Sequence, residues 1–257
     1  MKALVTGATS GIGRSIAFNL HRRGWDLILT GRNTNELKKL KKRFGEDTEI
    51  VAADLADRDE VMKVYDFCRG KEIDMLVNNA GYGLFGKFDE TDLDDELNML
   101  SVNINALHIL TKLFLRDFKA KDSGIILNVA SSAGFMTGPL LSSYYASKNY
   151  VVRLSLAIAE ELRRDKSNVS ITVLCPGPVD THFNDRAGVS FSFKPISPQY
   201  AAEFALNKAF RGKLIAIPGL MVHAGVIASK FAPEKLISAV TYNIQHSKKV
   251  AEDKKHR

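Results

Sequence analysis

The 257 residues are 45% hydrophobic and 25% charged, which excludes a disordered or fibrous chain and leaves ample apolar material for one α/β core without a second domain. Two cysteines, Cys68 and Cys175, lie far apart and without metal-ligand spacing, so a disulfide framework and a metal site are both excluded and a reducing compartment is expected. The formal charge of +7 favours anionic ligands, but +3 of it sits on the tail 246–257 and no basic stripe is interleaved with aromatics, so no nucleic-acid partner is predicted.

The chain opens on Lys2-Ala3-Leu4-Val5, a strand pattern with no basic-then-apolar leader before it, so no signal peptide and a cytoplasmic location are expected. From there short apolar runs alternate with helical spacing. Strands are predicted over residues 2–6, 26–30, 49–52, 73–77, 124–129, 169–174 and 213–217. Their continuous apolar character suits strands buried on both faces. Helices are predicted over 12–23, 34–43, 57–69, 92–119, 143–165 and 198–210. This alternation predicts an α/β fold, a doubly wound, Rossmann-type sheet of seven parallel strands with helices on both faces, in a single domain. Ligands of such sheets bind at the carboxyl ends of the strands, so functional residues should follow strands directly.

After the first strand comes Thr6-Gly7-Ala8-Thr9-Ser10-Gly11-Ile12-Gly13, a turn whose missing side chains let backbone amides approach a pyrophosphate at a helix N-terminus. A tight strand-to-helix turn with no ligand explains the glycines equally well when they are taken alone. At the end of the second strand, where an acid would hold the ribose of NAD, stand Gly31 and Arg32, and a guanidinium there suits a 2′-phosphate. Arg14 either adds charge to the same region or belongs to a solvated helix face. Asp54, in Ala52-Ala53-Asp54-Leu55, suits two roles, accepting from an adenine amino group and capping the following helix. Asn78-Asn79-Ala80-Gly81 ends the fourth strand with small residues and amides that fit a backbone packed against a cofactor, or a turn bonded to itself.

Lys148 follows Tyr144 by four residues on a predicted helix, so both project from one face, and an ammonium near a phenol lowers the phenol's pKa. Ser131 ends the fifth strand, where its hydroxyl can hold a carbonyl oxygen. Asn103 lies in the long helix, where a polar side chain can bind a proton-relay water. A tyrosine and a lysine at this spacing are, by themselves, usually a surface pair.

Together these residues resemble the short-chain dehydrogenase/reductase family over residues 2 to about 218. Thr6 to Gly13 matches its TGxxxGxG motif, Asn78 to Gly81 its NNAG, and Tyr144-Tyr145-Ala146-Ser147-Lys148 its YxxxK. The resemblance implies NADP(H) as cofactor, bound by Gly7, Thr9, Ser10, Gly11, Ile12, Gly13, Arg32, Asp54, Leu55, Asn79, Ala80, Gly81, Tyr144, Lys148, Pro176, Gly177, Val179 and Thr181. It implies Tyr144 rather than Tyr145 as acid/base, with Ser131 rather than Ser132, Lys148 and Asn103 as its catalytic partners. Val179 would meet the nicotinamide carboxamide through its backbone and Thr181 through its hydroxyl. Hydride exchange between a carbonyl and a primary or secondary alcohol is the activity it implies. A cofactor-binding sensor without turnover, or a membrane-surface adaptor, is the alternative on the same fold.

Tyr82, Leu84, Phe85, Phe135, Met136, Phe183 and Phe191 form an apolar set expected to approach a small-molecule carbonyl or alcohol substrate of apolar character. Residues 178–196, with Gly188 and Pro195, read as a lid over the crevice. Residues 1–218 are assigned to the catalytic domain. Residues 219–257 form an amphipathic extension with a basic tail, a subunit or lid contact or a peripheral membrane contact, in which Leu220, Met221, Val226, Ile227, Phe231, Leu236, Ile237 and Val240 alternate with Lys230 and Lys235. The stretch Leu214 to Ser229 is too short for a bilayer span and is interrupted by Pro218 and Gly219. Assembly into homodimers or homotetramers through the long helices is expected.

Overall fold

The computed structural model describes residues 1–181 and 195–253, with side chains of the last helix as far as His246. The strands are β1 (Lys2–Thr6), β2 (Asp26–Gly31), β3 (Thr48–Ala52), β4 (Ile73–Asn78), β5 (Gly124–Val129), β6 (Val169–Leu174) and β7 (Ile215–Ala216). All neighbours pair in parallel in the order β3-β2-β1-β4-β5-β6-β7. The chain winds outward from β1 through β2 and β3, then returns to the other side of β1 for β4 to β7. The switch point therefore lies between β1 and β4, and a crevice opens at their carboxyl ends.

Helices α1 (Gly11–Arg22), α2 (Thr34–Phe44) and α7 (Pro198–Ala209) cover one face, and α3 (Arg58–Cys68), α5 (Leu107–Ala120) and α6 (Ser142–Arg164) the other. The two-residue period of the strands sorts the core. Ala3, Val5, Leu27 and Leu29 point to the first face, where they meet Ile16, Leu20, Leu37, Leu40 and Leu206. Leu4 and Ile28 point to the second, where they join Val61, Leu110, Phe114, Phe118 and Ile158. On that second face a buried polar ladder ties strands to helices. Asn78 Nδ2 donates to Thr111 Oγ1 and to Asn128 Oδ1, both at 2.9 Å, and Asn128 Nδ2 donates to Ser155 Oγ at 3.0 Å. A slip of α5 or α6 would strand these groups without partners, so the ladder sets the helices' register.

Two predicted elements differ. The helix expected over 92–119 is α4 (Leu93–Leu100) and α5 joined by a π-helical turn over Ser101–Ala106, which carries Asn103. A π-turn inserts one extra residue per turn and swings a side chain that an α-helix would aim elsewhere. The seventh strand is two residues long rather than five, the short edge that limits unwanted strand pairing. After it come α8 (Leu220–Ser229) and α9 (Glu234–Asp253).

Phe118 is 1% exposed and packs against Gly124, where a Cβ would lie 2.3 Å from its ring. Phe118→Ala is expected to lower the unfolding free energy by about 3–5 kcal/mol, read from urea unfolding with an unchanged slope.

Candidate active site

The crevice at the switch point is a cleft of about 880 Å³. Its floor is the glycine turn, locked to the end of β4. Thr6 Oγ1 accepts the amides of Asn79 and Ala80 at 2.9 and 3.0 Å, and Asn79 Nδ2 donates to the carbonyls of Thr6 and Gly7 at 2.9 and 3.2 Å. Gly7 sits at φ +62°, and a Cβ on Gly13 would lie 2.3 Å from Asn79 Nδ2 and 2.4 Å from the Gly7 carbonyl. Only glycine fits there. Ser10 precedes α1 without a side-chain cap, so the first-turn amides of Gly11 and Ile12 border the cleft as an anion-favouring helix end.

One end of the cleft is lined by Arg14, Arg32, Asn33, Glu36, Asp54 and Leu55. Arg32 Nη1 stands 3.9 Å from Asp54 Oδ2 and Arg14 Nη1 3.8 Å from Glu36 Oε2, both loose pairs with half-exposed guanidinium groups. Pairs of this length and exposure hold their charges weakly. Asn33 caps α2 by accepting from the Glu36 amide, so a second helix N-terminus opens beside Arg32. The Lys39 hydrogen bond holds Glu36 below the ordinary carboxylate range.

Ser131, Tyr144 and Lys148 line the other part of the cleft. Ser131 follows β5 and starts a short 3₁₀ turn over Ser132–Phe135, its Oγ accepting from the Ala133 amide at 3.2 Å and donating to the Pro176 carbonyl at 3.4 Å. Tyr144 and Lys148 lie one turn apart on the buried face of α6, 9% and 4% exposed. Burial raises the Tyr144 pKa above the ordinary phenol value; a hydrogen bond with Ser131 acts against it and Tyr145 adds to it. Lys148 Nζ donates to the Val129 carbonyl at 3.1 Å and lies 5.8 Å from the centroid of the Tyr144 ring. Burial lowers its pKa to about 8, against a smaller opposing effect of Cys175. The pair therefore holds a neutral phenol beside an ammonium that parts with its proton unusually easily.

Residues 1–189 match the family model for short chain dehydrogenase. The chain belongs to the short-chain dehydrogenase/reductase family of oxidoreductases. An uncharacterised oxidoreductase of Staphylococcus aureus is 32% identical over 224 residues, 86% of this chain and 95% of the relative. A short-chain dehydrogenase from Sphingobium yanoikuyae, solved in complex with NADPH, superposes with a TM-score of 0.82 at 30% identity, covering 91% of this chain and 94% of that one. A family member from Burkholderia phymatum, solved with NAD, shares the fold at a TM-score of 0.80 and 23% identity, over 88% and 91% of the two chains.

In this short-chain dehydrogenase, Gly7, Thr9, Ser10, Gly11, Ile12, Arg32, Asp54, Leu55, Asn79, Ala80, Gly81, Ser131, Tyr144, Lys148, Pro176, Gly177, Val179 and Thr181 all line the one cleft. Gly13 lies just behind the turn. Asp54 does not cap α3: Asp57 does, accepting from Asp59 and Glu60, while Asp54 Oδ1 accepts from Ala56 and its carboxylate faces Arg32. Asn103 stands back from the cleft, 1% exposed. Its Oδ1 accepts from the Tyr82 amide at 3.0 Å, and its Nδ2 donates to the Tyr82 carbonyl at 2.9 Å and Ser147 Oγ at 3.1 Å. With both amide hydrogens committed, the side chain holds the loop after β4 against α6.

The apolar set divides. Tyr82 lines the cleft, whereas Leu84 and Phe85 are outside its lining and pack against the apolar cluster that includes Met99 and Tyr82. Phe135 turns away into a second cavity of about 180 Å³ with Phe204, Ile217 and Val226, and Met136 contributes its carbonyl to Asn149. Phe183 and Phe191 lie outside the described residues, as does most of the expected lid; its ends are pinned by a bridge between Val179 and Ile196. Ile244 and Gln245 of α9 were not expected here, yet both line the cleft, Gln245 Nε2 donating to the Tyr145 hydroxyl at 2.8 Å. The signal was the spacing of Ile237, Thr241 and Gln245, which form the buried stripe of that helix. Among the described residues no cluster of side chains suits a metal ion.

Because the folded pKa of Lys148 lies near 8 and its ordinary value is 10.5, the folded protein binds fewer protons than the unfolded chain between those values, and stability rises with pH there. Lys148→Met is expected to be more stable than the wild type at neutral pH by about 1–3 kcal/mol. That advantage should shrink as the pH is raised from about 8 toward 10.5, as followed by urea unfolding across pH.

Proposed function

We propose that the protein is an NADP(H)-dependent oxidoreductase that interconverts a carbonyl and a primary or secondary alcohol, with Tyr144 as the acid/base. The observation that carries this reading is the convergence of Ser131, Tyr144 and Lys148 in the same cleft that has the glycine turn as its floor and Arg32 at its end.

The residues present fit a dinucleotide phosphate. The turn from Gly7 to Gly13 offers bare backbone and the uncapped amides of α1 to a pyrophosphate. Arg32, with Arg14 beside it, offers cationic charge to a 2′-phosphate, and its loose pairing with Asp54 lets the guanidinium turn to a stronger anion. In this reading Asp54 and Leu55 flank the adenine, Asn79, Ala80 and Gly81 back the ribose, and Pro176, Gly177, Val179 and Thr181 lie along the nicotinamide. The NADPH-bound relative supports the phosphate preference. The NAD-bound one shows that the fold serves both dinucleotides, so the argument rests on Arg32.

When bound, the nicotinamide supplies or accepts the hydride. Ser131 and Tyr144 hold the substrate oxygen by hydrogen bonds, and Tyr144 gives or takes its proton. Burial keeps the phenol protonated at neutral pH, so its proton is there to give, and in this reading the nearby Lys148 ammonium stabilises the phenolate left behind. Asn103 is a positioning residue that fixes the loop carrying Gly81 and Tyr82.

Residues 1–218 form the catalytic domain in this reading, and 219–257 an extension that completes the cleft wall through Ile244 and Gln245. Phe88, in the turn before α4, and Leu93 and Leu97 at the start of α4 are exposed and favour assembly into a homodimer or homotetramer.

Tyr144→Phe is expected to bind NADPH as the wild type does, by fluorescence titration, and to lose about 10²–10⁴-fold in kcat over a panel of ketones and aldehydes. Unchanged turnover would reject the assignment, and NADPH binding by a wild type that reduces nothing in the panel would favour the sensor. Arg32→Asp should weaken NADPH at least tenfold, about 1.4 kcal/mol, while leaving NADH binding within a factor of a few. A wild type that prefers NADH would overturn the cofactor assignment.

A further inference from the structure

Helix α8, LMVHAGVIAS, has no charged residue and is apolar around its circumference. A helix of that composition is ordinarily buried on all sides. Here only Val226 is buried, with Val222 packed partly against the core. Helical spacing puts Val222, Val226 and Ser229 on the inner face and Leu220, Ala224 and Ile227 on the opposite one, with Phe231 following just past the helix end. That outer face is bare: Leu220 is 91% exposed, Phe231 84% and Ile227 47%, with Met221 beside them at 75%. Leu236 and Val240 extend the patch onto α9 at a four-residue interval. Single exposed apolar residues are normal on a protein surface, whereas a contiguous set of this kind marks an interface.

Charge decides what covers it. Residues 208–257 hold ten Lys or Arg against three Asp or Glu, a surplus equal to the whole chain's +7, so residues 1–207 are neutral. Lys208, Lys230 and His223 surround the small cavity beneath α8, and among the described residues neither lysine is in an ion pair. Lys235 stands beside Leu236. A second copy meeting this face would set the same positive surplus against itself, while an anionic lipid surface neutralises it. Ten residues of helix span roughly 15 Å, about half the hydrocarbon thickness, and no described helix is long and apolar enough to cross a membrane. A segment of that length suits lying along a lipid surface rather than spanning it.

We propose that residues 220–240 dock the protein peripherally on an anionic phospholipid surface, with Leu220, Met221 and Phe231 entering the headgroup boundary and Lys230 and Lys235 meeting the lipid phosphates. Val222, on the inner side of α8, abuts Gly177 of the cleft wall, so docking brings the cleft rim to the lipid surface.

The test is co-sedimentation of the full chain with phosphatidylcholine vesicles with and without phosphatidylglycerol. Binding is expected only with the anionic lipid and should fall steeply with added salt. Leu220→Ser combined with Phe231→Ser should weaken it about tenfold or more, with circular dichroism and NADPH binding unchanged. Lys230→Gln with Lys235→Gln should also weaken it. Absence of wild-type binding, equal binding to neutral vesicles, or undiminished binding by the serine variant would overturn the proposal. So would a dimer in sedimentation equilibrium that the serine variant abolishes while vesicles bind neither form.

Discussion

The contact between Asn79 and the glycine turn is the constraint on which the site depends. β1 and β4 lie side by side at the point where the winding reverses, and their ends would splay without a tie. Thr6 and Asn79 supply it, each satisfying backbone groups of the other strand's end, and Gly13 lets α1 come close enough to seal the junction. With the junction closed, the amides of α1 face one cleft rather than solvent. A side chain at Gly13 would break the tie and the anion-favouring surface together.

The groups proposed as catalytic reach that cleft from elements whose register is set elsewhere. Ser131 comes from the end of β5 and Tyr144 with Lys148 from α6, and the buried Asn78-Asn128-Ser155 ladder links β4, β5 and α6. Asn103 repeats the device nearer the site, joining the loop after β4 to Ser147, the residue just before Lys148. The polar groups inside the second core thus serve alignment. Hydrophobic packing alone would tolerate small slips that hydrogen bonds between buried partners do not.

The electrostatics divide the molecule. The cleft wall carries a lysine whose charge burial disfavours, an arrangement costly to the protein alone. The chain's net positive charge is gathered in the last fifty residues, which include bare apolar side chains. The proposed chemistry and the proposed docking surface thus fall in different parts of the chain.

By itself the sequence determined what short-range physics dictates. Apolar runs with turn residues between them specify strands and helices, and their alternation leaves a parallel, doubly wound sheet as the arrangement that buries both faces; motif spacing then puts Tyr144 and Lys148 on one helix face. Asp54, Asn103, Phe135 and Gln245 were different. Each has side-chain options that local sequence leaves equal: Asp54 lost the cap to Asp57, and a π-turn committed Asn103 to Tyr82 and Ser147. Packing turned Phe135 away from the cleft, and a helix a hundred residues downstream of Tyr145 brought Gln245 into it. Only the tertiary structure decided these, because the competing partners come from distant segments whose positions are set by the whole core.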